Sequence, residues 1–187
     1  MRLQPKRASL RRAKWGFMIR FLFRGLTKDV GRGQALFDRV VGEARKRHWY
    51  EAGEVPDTID GRFSVLATTC ALFIIRLERS GEGLDPASVA LTERFVEAMD
   101  VEHRELGLND PGLGRRVRKL LGSLERRVDE WRGAIHGEND WTETVISSLY
   151  HGEAPKDEAL KHSSDSLEDL WNRLSEASAE TFEDAAA

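Results

Sequence analysis

Residues that form disulfides or bind metals are scarce in this chain of 187 residues. There is one cysteine, Cys70, so an internal disulfide is excluded and a reducing compartment is favoured. The longest strongly apolar run, Val65 to Ile75, is far shorter than the roughly 20 residues that a membrane-spanning helix needs. We therefore expect a chain without a transmembrane helix and without disulfide bracing.

Motifs for catalysis or metal binding are also lacking. The histidines are His48, His103, His136, His151 and His162, and none has a cysteine or a second histidine at the spacing of a metal-ligand motif. Glu102, His103 and Glu105 resemble half of a helical metal site, but no matching second half exists, so we interpret them as solvated helix surface. The glycines of GLNDPGLGRR do not follow a strand and do not match a phosphate-binding loop. We expect no enzyme activity, no metal and no cofactor.

Charge is unevenly distributed although the net charge is only −3. Residues 1–48 hold 14 Lys and Arg against 3 Asp and Glu, a balance of +11. Residues 137–187 hold 3 against 13, a balance of −10. Such asymmetry concerns partners rather than fold, because the basic end suits anionic lipid, RNA or an acidic protein surface and the acidic end repels all three.

The first 33 residues form a basic amphipathic segment in which apolar residues alternate with arginines. Its candidate membrane- or RNA-contacting residues are Arg11, Arg12, Lys14, Trp15, Phe17 and Phe21. Three interpretations stay open: a solvated N-terminus, a helix that binds anionic lipid, and a transit peptide that would direct the protein to the mitochondrial matrix.

Apolar spacing predicts an all-α, single-domain bundle of about six to seven helices with short Gly- or Pro-marked connections. After the basic segment, one helix runs from Gln34 to about Tyr50. The next is capped by Asp57 or Thr58, and its predicted core stripe is Ile59, Phe63, Leu66, Cys70, Ile74 and Leu77.

The second half of the chain carries clear helix-start signals. Asp85-Pro86 begins one helix and Asp110-Pro111 introduces the long helix from Leu113 to Ile135. Asp140 with Glu143 resembles a capping arrangement for a further helix. A final helix is predicted from about Asp165, where Leu167, Leu170, Trp171 and Leu174 recur at helical spacing.

The connection WYEAGEVPDTIDGRF, residues Trp49 to Phe63, is rich in residues that neither favour helix nor merely fill a loop. Pro56 is expected to end the helix that enters from Tyr50. Gly61 inside a first helical turn costs about 1 kcal/mol relative to alanine, which predicts close approach by another segment. Arg62 is expected to reach a carboxylate or carbonyl across the bundle. The stretch is thus either a rigid corner or a surface that binds a partner directly.

Two blocks of sequence closely resemble the ubiquinol–cytochrome c chaperone family, whose members are assembly factors of the cytochrome bc1 complex. The first is a tyrosine-containing segment followed by V-P-D-T-x-D-G-R-F, here Val55 to Phe63. The second runs from Met99 to Lys119 and contains MDVEHRELG and GLGRRVRK. SSLYHGEAP, Ser147 to Pro155, is also similar to the end of the family. The resemblance spans roughly residues 34–155, between the basic segment 1–33 and an acidic helix and tail, 156–187.

The sequence departs from the family pattern at two places. Gly53 and Glu54 stand in the reverse of the usual order, so the local turn geometry is not fixed by the resemblance. The usual start of the family resembles MIRFLFRG, which makes Met18 as well as Met1 a candidate initiator.

The resemblance implies a non-enzymatic chaperone that binds newly made cytochrome b, with a small co-chaperone and the ribosome as further partners. A bacterial-type member would lie in the cytoplasm, peripheral at the inner membrane, and would need an exposed apolar groove for its client. The candidate partner-binding residues are Tyr50, Pro56, Asp57, Thr58, Asp60, Arg62, Arg115, Arg116 and Lys119. The alternative is a module that binds RNA or ribosomes through the basic N-terminal region.

Overall fold

A computed structural model describes residues 33–79, 85–105 and 113–178, and the side chains of these residues except within 100–117. Seven helices lie in these ranges: α1 (Gln34–Ala44), α2 (His48–Glu51), α3 (Ile59–Glu78), α4 (Pro86–Glu105), α5 (Leu113–Ile135), α6 (Trp141–Tyr150) and α7 (Asp157–Glu176). The described ranges contain no strand, which confirms the all-α prediction. None of the helices in these ranges is both long and apolar enough to cross a bilayer. The basic segment 1–32 lies outside the described residues.

Helix α3 is the centre of the bundle. Each of its nine consecutive residues from Ala67 to Ile75 is buried, which is more than two helical turns, so this stretch has no solvent-facing side. The other long helices, α1, α4, α5, α6 and α7, all pack against it. Cys70 lies in this stretch, and burial raises the pKa of its thiol well above the usual range. The predicted core role of Cys70 is confirmed, and its thiol is chemically protected.

Large aromatic side chains fill the space around α3. Trp49, Phe95 and Trp131 are fully buried, and they come from α2, α4 and α5 respectively. Trp131 packs edge to face on Trp141 of α6, with ring centroids 5.0 Å apart, and its indole N–H donates to Ser148 Oγ at 3.0 Å. These contacts fix the spacing between α5 and α6.

Most helix starts lie where the sequence predicts them. Thr58 Oγ1 accepts a hydrogen bond from the backbone N–H of Gly61 at 3.2 Å, and Asp140 Oδ1 accepts one from that of Glu143 at 2.8 Å. Helix α4 begins at Pro86, and the bounds of α5 are those predicted. Side-chain caps satisfy orphan N–H groups locally, so these signals depend little on tertiary packing.

Two boundaries differ from the prediction. Helix α1 ends at Ala44 and the chain turns before the short α2, rather than continuing to Tyr50. The last helix begins at Asp157, eight residues before the predicted Asp165, and Asp157 and Glu158 occupy its first turn, where negative charge complements the helix dipole. The apolar pattern misses this turn because only Ala159 is a buried hydrophobic residue there.

Arginine side chains complete the carboxyl ends of two helices. Arg76 of α3 donates from Nε to the carbonyl of Leu174 at 2.8 Å and from Nη2 to that of Ala177 at 2.6 Å. Arg127 of α5, only 4% exposed, donates to Ser123 Oγ at 2.9 Å and reaches toward the carbonyl of Ser148 at 3.4 Å. The final carbonyls of a helix lack intrahelical donors and carry partial negative charge, so both cations are well placed.

Replacing Arg76 with methionine is expected to lower the free energy of unfolding by about 1–3 kcal/mol, because two half-buried carbonyls lose charged donors. Urea denaturation measures the change. Arg126→Met, at an exposed position of α5, is the control and should shift stability by no more than about 0.5 kcal/mol. Equal effects of the two substitutions would contradict the capping role of Arg76.

Candidate functional site

The chain between α1 and α3 folds into a corner, which we define as residues 49–63. Two aromatic residues at its start supply donors to the end of α1. The indole N–H of Trp49 donates to the carbonyl of Glu43 at 3.0 Å, and the hydroxyl of Tyr50 donates to that of Ala44 at 2.9 Å. Because these bonds bring the chain back over α1, the helix ends at Ala44. Tyr50, a candidate contact residue, is therefore half-buried and engaged within the fold.

The corner is tied to the last two helices by a short chain of hydrogen bonds. The hydroxyl of Tyr150, at the end of α6, donates to the carbonyl of Gly53 at 2.5 Å and lies 2.6 Å from Ser163 Oγ of α7. A Cβ at position 53 would stand 2.6 Å from both Ser163 Oγ and the Trp49 carbonyl oxygen. Glycine is thus required at position 53 by the close approach of the Trp49 backbone carbonyl, with the Ser163 side chain of α7 adding to the crowding.

Glu54 adopts a left-handed backbone conformation, with φ at 50°. It is the position at which the family pattern usually has glycine. Its carboxylate forms an ion pair with Lys156, 2.7 Å from Nζ, at the start of α7. Residues other than glycine are strained in this region, so the reversed Gly-Glu order carries a conformational cost that an exposed ion pair offsets only in part.

The Pro56–Gly61 stretch starts α3, and Gly61 is closely approached as predicted, although not by a separate segment. A Cβ on Gly61 would overlap the carbonyl oxygen of Pro56, five residues earlier in the same corner. The Thr58 side chain meanwhile caps the helix by accepting from the Gly61 N–H. The approaching segment is therefore the chain's own turn, and the geometry supports the interpretation of a rigid corner.

Arg62 does not reach across the bundle as predicted. Its Nε donates to Asp57 Oδ1 at 2.6 Å, and both side chains are more than half exposed. The Arg62 guanidinium lowers the pKa of the Asp57 carboxyl through this hydrogen bond. Because the pair is local and exposed, it contributes little to stability. Pro56, Thr58 and Asp60 are exposed on the same corner.

Ile59 is exposed, although the sequence places it on the core stripe of α3. At 62% exposure it is the one exposed large hydrophobic side chain among the residues described. Phe63 and Leu66, at the next positions on the same helix face, are partly buried against the core. The apolar stripe of α3 thus continues from partly buried positions to a solvent-exposed one. We name Ile59, Phe63 and Leu66 the α3 ridge.

The basic candidates lie on α5. Lys119 is exposed, as are Arg118 and Arg126, and no ion pair involves these three within the described part of the chain. Lys119 and Arg126, seven residues apart, lie on one side of the helix, and Arg118 lies about 100° around it from Lys119. The side chains of Arg115 and Arg116 lie outside the described residues. The same holds for the N-terminal candidates between Arg11 and Phe21.

Two histidines that are far apart in the sequence lie close together beside the corner. Nδ1 of His48 lies 3.1 Å from Nε2 of His162, across 114 residues. No group of three or more metal-ligating side chains occurs among the described residues. The pair therefore is not part of a larger ligand cluster in that part of the chain.

Comparison with known protein families identifies the family that the two sequence blocks resemble. The family model of the ubiquinol-cytochrome c chaperones matches residues 51–187. The crystal structure of the Cbp3 homolog from Brucella abortus superposes with a TM-score of 0.67, at 23% identity, over 96% of this chain and 92% of that chain. At this identity the likeness supports a shared fold alone. No curated protein sequence matches the chain.

Gly61→Ala is expected to destabilise the protein by more than about 2 kcal/mol, because the added methyl group overlaps backbone that can move only by opening the corner. Gly122→Ala is the matched control, since a Cβ there meets nothing within 4 Å. It should stabilise α5 by up to about 1 kcal/mol. Chemical denaturation of both variants tests the prediction, and a mild loss at position 61 would contradict it.

Glu54→Gly is expected to raise the free energy of unfolding by about 0.5–1 kcal/mol, because relief of the left-handed strain exceeds the loss of an exposed ion pair. Lys156→Met removes the same ion pair without changing the backbone, so it isolates that contribution in the same denaturation experiment. A loss of stability in Glu54→Gly larger than in Lys156→Met would show that position 54 is not strained.

Proposed function

The chain belongs to the ubiquinol-cytochrome c chaperone family, and we propose that it is a non-enzymatic chaperone that supports assembly of the cytochrome bc1 complex by binding newly made cytochrome b. Cytochrome b is an apolar membrane protein, so its chaperone has to offer apolar surface to a helix that is still outside its final complex. The proposal therefore requires an apolar contact surface on a chain that otherwise buries its hydrophobic residues.

The observation that carries the proposal is the exposure of Ile59. Large aliphatic residues in this fold are otherwise buried or partly buried wherever side chains are described, whereas Ile59 is 62% exposed. It continues into Phe63 and Leu66, so the α3 ridge leads from solvent directly to the core. A single exposed apolar residue is ordinary on a protein surface. Its continuity with two half-buried neighbours at i+4 and i+7 gives a client helix a row of contacts.

The surroundings of the ridge favour specific binding. The exposed Asp57–Arg62 ion pair lies in the same corner and Asp60 in the same first turn of α3, which gives the apolar ridge a charged border. The Thr58 cap and the tight Gly61–Pro56 approach hold this border in one conformation. Because little backbone order is lost on binding, a rigid surface binds with a smaller entropic cost. The corner thus serves as a structural lock and as part of the contact surface.

A second proposed contact is the exposed basic surface of α5, formed by Arg118, Lys119 and Arg126. Its charge suits anionic lipid headgroups, each basic residue contributing about 1 kcal/mol near such a surface. Together with the client, this contact would hold the protein peripherally at the bacterial inner membrane. A small co-chaperone and the ribosome are further proposed partners, and they rest on the family resemblance alone.

The test is site-specific cross-linking in cells that make the cytochrome bc1 complex. A photo-reactive amino acid replaces Ile59 in one variant and Asn172, an exposed residue of α7, in the control. Purification under mild detergent and mass spectrometry then identify the adducts. We expect cytochrome b to be captured from position 59 at least about tenfold more than from position 172, because the ridge contacts the client.

A charge substitution gives an independent readout. Ile59→Glu should deplete co-purified cytochrome b severalfold while leaving the helical circular dichroism and unfolding midpoint near wild type, since the side chain is exposed. Capture of ribosomal proteins and RNA without cytochrome b would favour the alternative function instead. Equal capture of cytochrome b from positions 59 and 172 would remove the ridge as the contact surface while leaving the client unchanged.

A further inference from the structure

A contact between two imidazole rings fastens the region beside the corner to the last helix. His48 lies on α2 and His162 on α7, with Nδ1 of the first 3.1 Å from Nε2 of the second. The ring centroids are 5.3 Å apart and the planes stand at 71°. Both rings are only partly accessible to solvent. This distance and the partial burial are those of a hydrogen bond rather than of a chance surface encounter.

The pair is located where α7 meets the corner. Ser163, the next residue on α7, contacts the Tyr150 hydroxyl that also donates to the Gly53 carbonyl. The histidine pair and the Tyr150 contacts are thus adjacent links between the same two segments. The Tyr150 link uses only neutral groups, so the histidine pair is the titratable one of the two.

The hydrogen bond requires that one facing nitrogen carry a proton and that the other offer a lone pair. A first added proton can be accommodated, since an imidazolium still donates to a neutral imidazole. When both rings are protonated, two N–H donors face each other with two like charges, and no acceptor remains between them. The contact then changes from attractive to repulsive.

The charged groups around His48 favour its neutral form. Burial lowers the pKa of His48 first, followed by His162 and then by Lys46 and Arg173, whereas Glu43 raises it. Glu43 is itself paired with Lys46 at 2.8 Å and stands 3.5 Å from Arg173, which limits its support for an added proton. Of these two cations, Lys46 lies in the turn after α1 and Arg173 lies on α7.

We propose that His48 and His162 form a pH-sensitive clasp that holds α7 against α2 and the corner near neutral pH and releases them when both rings are protonated. Because the pKa of His48 is lowered when the clasp is closed, the open form of the clasp binds protons more readily than the closed form. The contribution of the clasp is therefore fully present above the unfolded histidine pKa of about 6.5, and it is lost as the pH falls through the lowered value.

Histidine NMR of the full chain tests the clasp directly. The C2–H resonance of His48 should titrate below the ordinary histidine range, and its titration should change when His162 is replaced with Gln, because burial and the His162 ring both lower the pKa of His48. A His48 titration that is not lowered, or that His162→Gln leaves unchanged, would overturn the proposal.

Hydrogen exchange, corrected for intrinsic rates, reports on the release itself. As the pH is lowered from 7.5 through the lowered pKa of His48, the amides of α2 and of the first half of α7 should lose protection severalfold in wild type. His162→Gln keeps a side chain that can hydrogen-bond to His48 in either protonation state, so two donors never face each other. Protection in these segments should therefore depend much less on pH in this variant than in wild type. His136→Gln is the control and should behave as wild type. The same pH dependence in His162→Gln as in wild type would refute the clasp.

Discussion

The need to shield α3 from water on all sides organises the whole structure. A helix that exposes one face needs only one layer of neighbours, whereas the stretch from Ala67 to Ile75 is buried all round and must be surrounded. Helices α1, α4, α5, α6 and α7 supply that enclosure, with the large side chains of Trp49, Phe95 and Trp131 filling the gaps. Since the surrounding helices come from both ends of the described chain, the enclosure depends on connections that turn sharply and on ends that are well satisfied.

The ends of the helices are satisfied from elsewhere in the bundle. Trp49 and Tyr50 donate to the last carbonyls of α1, and Arg76 donates to those of α7. Each of these bonds uses a side chain to replace a backbone donor that the helix end lacks. The arrangement joins neighbouring elements while it satisfies them. It explains why a chain without disulfides, with much of its charge at the surface, can hold short connections in defined positions.

The same segment that locks the bundle is the one from which the proposed contact surface emerges. Gly53 and Gly61 allow α7 and the chain's own turn to approach closely, and the Thr58 side chain caps the start of α3. In this first turn of α3 Gly61 is buried, whereas Ile59 is 62% exposed. The distinction between a structural corner and a binding surface, which the sequence left as alternatives, is therefore not a strict one. A rigid turn is what positions an exposed apolar residue at a reproducible place.

The sequence by itself determined the helical class, the cap at Asp140, the start at Pro86, the full extent of α5 and the family, because these depend on residues close together along the chain. It narrowed the cap of α3 to Asp57 or Thr58, and the structure shows that Thr58 is the cap. Periodicity also identified the apolar side of α3. Periodicity could not show which residues on that side are covered by the other helices. Only the tertiary structure showed that Ile59 is exposed. Nor could spacing bring His48 to His162 or show that Arg62 turns back to Asp57. Those outcomes depend on how separate helices come to lie beside one another, and a pattern read along one helix contains no information about the position of the next.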